Sequence, residues 1–81
     1  MAVAPPATVE RRRFRVTGVV QGVGFRPFVY GLARSHGLGG LVWNDGSGVV
    51  VEAEGAAGAL DAFAASLAAE APSLARVDAV V

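Results

Sequence analysis

The sequence contains no cysteine and no lysine, and only one histidine. The missing cysteine excludes disulfides, thiolate metal sites and cysteine nucleophiles. A lone histidine leaves no histidine cluster to hold a metal, so neither a metal nor a cofactor is expected. Without lysine, every fixed positive side chain is an arginine. Its planar fork suits bidentate contacts with oxyanions rather than diffuse attraction. Charge is scarce and balanced: seven arginines against seven acidic residues give a formal net charge of zero, and charged residues make up 17% of the chain. No basic excess exists to grip the phosphate backbone of a nucleic acid. No apolar run approaches the ~20 residues needed to cross a bilayer. The N-terminus lacks the basic and then apolar stretches of a secretory signal. The expectation is a cytoplasmic protein with no nucleic-acid or membrane partner.

What is present is apolar surface. The chain has 81 residues, of which 53% are hydrophobic, with a mean hydropathy of +0.49. That length gives one core, not two, and the composition is too apolar for disorder. Residues 1–9, with Pro5 and Pro6, read as a flexible lead-in, and residues 10–81 as the domain.

From Glu10 the residues alternate, with Arg11, Arg13, Arg15 and Thr17 on one face and Phe14 and Val16 on the other. This predicts a half-buried strand, and the arginine run reads as its solvated face. Phe25, Phe28, Val29, Leu32 and Ala33 then fall at helical spacing. Pro27 sits in the first turn, where its missing N–H costs nothing, and Gly37, Gly39 and Gly40 end the helix. Leu41–Trp43 reads as a short strand, and residues 44–48 as a turn. Val49–Glu54 reads as the returning strand, with Val49, Val51 and Ala53 on one face and Val50, Glu52 and Glu54 on the other. Leu60, Phe63, Ala64, Leu67, Ala68 and Ala71 make a second amphipathic helix, stopped before Pro72. Val77–Val81 is the last strand. The order βαββαβ predicts an α+β, ferredoxin-like sandwich, with two helices on one face of an antiparallel sheet.

The informative stretch is Gly18-Val19-Val20-Gln21-Gly22-Val23-Gly24-Phe25-Arg26, which joins a strand to a helix N-terminus. Its glycines permit backbone conformations that gather successive N–H groups into one concavity. The helix start adds free N–H groups and a positive dipole end, and Arg26 adds a fixed charge. These parts suit a phosphate. A Rossmann reading fails for want of a third glycine and an acidic ribose partner, and a Walker A reading for want of Gly-Lys-Ser/Thr. A tight β-to-α turn with a solvated Arg26 fits the same residues. Asp45 reads as a solvated turn residue, His36 as a dipole-favoured helix end, and Tyr30 and Trp43 as packing residues.

Val20-Gln21-Gly22-Val23-Gly24-Phe25-Arg26, followed by Asn44 in Leu41-Val42-Trp43-Asn44, resembles the acylphosphatase family signature. The resemblance runs from about Arg12 to Val81. It implies a phosphate cradle over Gln21, Gly22, Val23, Gly24, Phe25 and Arg26. It also implies a phosphate-binding role for Arg26 and a water-orienting role for Asn44; read in isolation, Asn44 is an ordinary turn residue before Asp45-Gly46. The implied activity is hydrolysis of the carboxyl–phosphate bond of a small acyl phosphate. Arg26-Pro27-Phe28-Val29-Tyr30, the stretch Asn44–Val49 and the tail Leu74–Val80 further resemble the N-terminal acylphosphatase-like domain of hydrogenase-maturation carbamoyltransferases of the HypF type. That resemblance implies carbamoyl phosphate as substrate and downstream domains as partners. Acylphosphatase folds usually end with a further strand, so a sheet without that last strand, its uncovered edge open to self-association, is expected. Two other classes stand beside this reading. A module that binds phosphate or another small ligand, or that docks, would need no Asn44. RNA binding on the sheet would need aromatics that Val49–Glu54 lacks.

Overall fold

The computed structural model of the chain describes residues 9–81. Its elements are β1 (Val9–Val19), α1 (Phe25–Ser35), β2 (Gly39–Asn44), β3 (Val49–Ala56), α2 (Ala57–Ala69) and β4 (Arg76–Val80). The strands form one sheet in the order β2-β3-β1-β4, and every neighbouring pair is antiparallel. This is the expected ferredoxin-like arrangement. Among the described residues, no helix is long and apolar enough to cross a membrane.

The alternation in β1 sets the sheet. Phe14 pairs with Val51 and Val16 with Val49, all four facing the helices, while Arg11, Arg13 and Arg15 face the other way. Phe25, Val29 and Leu32 of α1 and Leu60, Phe63 and Leu67 of α2 close the core over the inward residues. Phe63 is fully buried, and its ring meets Phe14 edge-on at 5.9 Å. The outward arginines are neutralised across the ladder. Arg13 donates to Glu52 at 2.6 and 3.0 Å, and Arg11 donates to Glu52 at 3.1 Å and Glu54 at 3.4 Å. Arg12, on the helix side, reaches Glu10 and Asp61. The arginine run is therefore an ion-paired face rather than a merely solvated one.

Several boundaries and faces differ from the sequence reading. Residues 1–8 of the expected lead-in lie outside the described residues, but Val9 already pairs with Ala56 in β1. Gly37, at φ +69°, follows the end of α1. Gly39 and Gly40, read as helix terminators, instead begin β2. A Cβ on Gly40 would lie 1.8 Å from the Glu52 carbonyl oxygen, so β2 can approach β3 there only without a side chain. Val50 lies on the outward face, as its spacing requires, yet it is 2% exposed because Arg15 and Trp43 flank it across both ladders. β4 completes a four-stranded sheet, and Val81 continues the pairing by exchanging two 3.0 Å hydrogen bonds with Arg15. Beyond Arg15, the Val9–Phe14 stretch of β1 has no strand on that side among the described residues.

Phe63→Ala is expected to cost about 3–5 kcal/mol, read by urea denaturation, because the site is closed on all sides. The Glu52 carboxyl is held below the ordinary carboxylate range, first by the hydrogen bonds from Arg13, then by those from Arg11, against the opposing effect of desolvation. A depressed folded pKa stabilises the protein above the unfolded value of about 4.3, and that contribution disappears as pH falls through the folded value. Denaturation from about pH 7 to about pH 2 is expected to show a smaller acid loss of stability in Glu52→Gln than in the parent chain, and equal losses would refute this.

Candidate functional site at the end of the first strand

β1 leaves the sheet through a bulge. The pairing with β4 shifts between Thr17 and Gly18, and Gly18 adopts φ +126°. A Cβ there would lie 2.1 Å from the Arg76 carbonyl oxygen. The loop that follows is pinned at both ends by buried side chains, Val20 at 2% and Phe25 at 1% exposure. Between them Gly22 and Gly24 adopt left-handed φ values of +73° and +77°, with open space around each, so backbone conformation and not crowding selects glycine.

Gly24 is also the N-cap of α1, with no side-chain cap and no acidic residue in the first turn. The first helical bond runs from the Phe28 N–H to the Gly24 carbonyl at 3.2 Å. Among the described residues, the N–H groups of Gln21, Gly22, Val23, Gly24, Phe25 and Arg26 have no protein acceptor. Alternating left- and right-handed backbone at a helix start aims such groups together, and the dipole adds positive potential there. The Gln21 side chain donates to the Gly48 carbonyl at 3.3 Å, tying the loop to the β2–β3 hairpin.

Arg26 is exposed at the same place. Of the seven arginines, Arg11, Arg12, Arg13, Arg15 and Arg76 are paired with carboxylates, whereas Arg26 and Arg34 have no carboxylate partner among the described residues. β2 runs parallel to β1, since each is antiparallel to β3. Asn44, the last residue of β2, therefore stands at the loop end of the sheet. It lies two residues beyond Val42 and so on the same, helix-facing side, opposite to Trp43. Val42 joins Arg26, Pro27 and Tyr30 in lining a cavity of about 250 Å³. The fold thus brings the glycine loop, Arg26 and Asn44 to one end of the molecule and one side of the sheet.

Other candidates are placed elsewhere or otherwise engaged. Asp45 is not a free turn residue. It accepts hydrogen bonds from Arg15 and from the Ser47 N–H and hydroxyl, both at 3.1 Å. The Arg15 contact, helped by those from Ser47, pulls its carboxyl below the ordinary range despite desolvation, which suits a hairpin brace and not a base near neutral pH. His36 caps the far end of α1, its ring edge-on to Phe63 at 6.3 Å. Trp43 packs on the outward face, with the Arg13 guanidinium 5.7 Å from its ring. Tyr30, expected to pack, is 54% exposed and lines the cavity beside Arg26. Its position one helical turn after Arg26 was the available signal. Among the described residues, no three His, Asp or Glu side chains gather to hold a metal ion.

The acylphosphatase family model matches residues 12–81. The chain belongs to the acylphosphatase family. This acylphosphatase domain is 63% identical over 73 residues to carbamoyltransferase HypF2 of Cupriavidus necator, spanning 90% of this chain and 9% of that protein. It is 49% identical over 72 residues to an acylphosphatase of Mannheimia succiniciproducens, covering 86% and 78% of the two chains. Among solved structures, full-length HypF in its phosphate- and nucleotide-bound form superposes with a TM-score of 0.91 at 35% identity, covering 98% of this chain and 10% of that one. The acylphosphatase from Bacillus subtilis superposes with a TM-score of 0.83 at 35% identity, covering 91% and 81%. The chain spans about a tenth of the length of the carbamoyltransferases it matches.

Gly24→Ala keeps the space around the loop but forces a side chain into the left-handed region. It is expected to cost about 1–2 kcal/mol, measured by urea denaturation. A loss near zero would mean that the loop adopts another backbone path.

Proposed function

We propose that this domain hydrolyses the carboxyl–phosphate bond of small acyl phosphates. The observation that carries the proposal is the run of N–H groups from Gln21 to Arg26 that, among the described residues, have no protein acceptor, beside an arginine that has no carboxylate partner there. In this reading those N–H groups bind the phosphoryl oxygens and Arg26 neutralises their charge. Asn44 holds a water in line with phosphorus. The water oxygen bonds to phosphorus as the bond from phosphorus to the carboxyl oxygen breaks. The carboxylate leaves with the electron pair, and the water's proton passes to phosphate or solvent. A carboxylate is a good leaving group, so catalysis rests on positioning and charge stabilisation.

The similarity to carbamoyltransferases favours carbamoyl phosphate as a natural substrate, further domains of such a protein as partners, and a cytoplasmic setting. The strand edge at Val9–Phe14 and the outer side of β4 are the surfaces through which copies would associate.

Turnover of acetyl and carbamoyl phosphate, measured beside phosphate binding by calorimetry, tests the reading. Arg26→Ala is expected to lose both phosphate affinity and turnover. Asn44→Ala is expected to keep phosphate affinity and lose turnover by about 100–1,000-fold, the effect of one well-placed polar group. Normal turnover by Asn44→Ala would remove the water-positioning role. Phosphate binding with no turnover by the parent chain would make this a binding module.

A further inference from the structure

Asn44 is exposed, and among the described residues its carboxamide has no hydrogen-bond partner in the protein. Where it stands is therefore left to the backbone. β2 ends at Asn44, which pairs with Val49, and residues 45–48 close the hairpin between them. Gly46 and Gly48 lie in that turn, and Gly46 sits at φ +88°. Glycine leaves a backbone freer than any other residue does, so the stiffness of this turn has to come from side chains.

One cluster supplies it. Asp45 follows Asn44, and its Oδ2 accepts from Arg15, which stands on the outward face of β1. Its Oδ1 accepts from the Ser47 N–H and hydroxyl, and the same Arg15 nitrogen donates to Ser47 Oγ at 2.9 Å. The Asp45 N–H donates to the Gly48 carbonyl at 3.2 Å, the carbonyl that also accepts from the Gln21 side chain. A single network thus runs from β1 through the turn to the first residue of the phosphate loop. Its anchor is firm, because the Arg15 backbone is bonded to Val81 on one side and paired with Val50 on the other. The Arg15 and Asp45 side chains are 47% and 22% exposed, and ion pairs of that kind add little to stability. What the pair supplies is place.

We propose that Arg15 and Asp45 are positioning residues for the reaction: by holding the turn against β1, they set where Asn44 stands relative to the phosphate loop. The inference rests on the acyl-phosphate reading given above. The pair lies on the outward side of the sheet, away from the reacting atoms, and acts through Asn44. Asp45 is one residue along the chain, so any movement of the turn moves Asn44 with it. A shift of about 1 Å in a positioned group can cost about 100-fold in rate. Arg15 also cancels a carboxylate that would otherwise repel a phosphate from this end of the sheet.

The test measures kcat with acetyl phosphate beside affinity for inorganic phosphate. The double variant Arg15→Met/Asp45→Ala removes both charges together and so leaves the net charge unchanged. Its kcat is expected to fall about 10–100-fold, with phosphate affinity within about twofold of the parent chain. Asp45→Asn, which keeps an oxygen for Ser47, is expected to lose less than Asp45→Ala. In an Asn44→Ala background the same double change is expected to alter kcat by less than about twofold, because the residue it acts through is already gone. Arg76→Met/Asp78→Ala removes another exposed ion pair, on β4, and is expected to leave kcat within about twofold. Four results would each overturn the positioning role while leaving the acylphosphatase reading standing: an unchanged kcat in the double variant, a loss of its phosphate affinity, an equal fall in the Asn44→Ala background, or an equal fall on removing the β4 pair. Normal turnover by Asn44→Ala removes the water-positioning role and the positioning pair with it. Absence of turnover by the parent chain overturns the hydrolase reading as well.

Discussion

The β1–β3 ladder is the constraint from which the site follows. Its eight residue pairs run from Val9↔Ala56 to Val16↔Val49. Slipping it by one residue would turn Arg11, Arg13 and Arg15 into the core and Phe14 and Val16 out to water, so the register is strongly specified. The Arg13–Glu52 and Arg11–Glu54 pairs fix it again from the other face. Because Val16 stands opposite Val49, the β2–β3 hairpin and the exit from β1 are brought together. A Cβ on Gly48 would lie 2.2 Å from the Val16 carbonyl oxygen. That closeness lets Gln21 reach the Gly48 carbonyl and places Asn44 at the loop end. The site is a consequence of the register rather than an addition to it.

Charge is disposed to the same effect. A chain of net charge zero still leaves Arg26 unneutralised, because among the described residues six of its seven acidic side chains, all but Glu70, are paired with other arginines. Glu52 and Glu54 pair on the sheet face, Glu10 and Asp61 with Arg12, Asp45 with Arg15, and Asp78 with Arg76. No acidic residue occupies the first turn of α1. The start of α2 also lacks a side-chain cap and has no acidic residue in its first turn, but it follows β3 directly, without a glycine loop, and the arginine near it, Arg12, is paired with Glu10 and Asp61. A helix dipole alone therefore does not distinguish the two ends. The glycine loop and an arginine without a carboxylate partner among the described residues do.

Periodicity carried most of the fold. The alternation through Phe14 and Val16, the helical spacing of Phe25, Val29 and Leu32, and that of Leu60, Phe63 and Leu67 each name residues buried in the core. What periodicity could not carry depends on neighbours distant in sequence. Val50 is buried by Arg15 and Trp43. Gly40 is required by the Glu52 backbone. Asp45 is occupied by an arginine thirty residues away. The glycine spacing pointed to an anion cradle, but a plain turn fitted the same letters. Only the fold places Asn44 on the loop side.

A cradle built from backbone N–H groups reads the phosphoryl group and nothing attached to it. The amides of Gln21–Arg26 would present the same donors whatever side chains surround them, provided Gly22 and Gly24 keep their left-handed conformations. Such a site has no means of telling one acyl phosphate from another. Discrimination must come from side chains that meet the rest of the molecule, and those available at the loop end belong to the α1 stripe through Arg26 and Tyr30 and to the facing residues of β2. On the proposed reading, variation between domains that share this loop falls on that stripe and that strand, while the glycines, Arg26 and Asn44 stay the same.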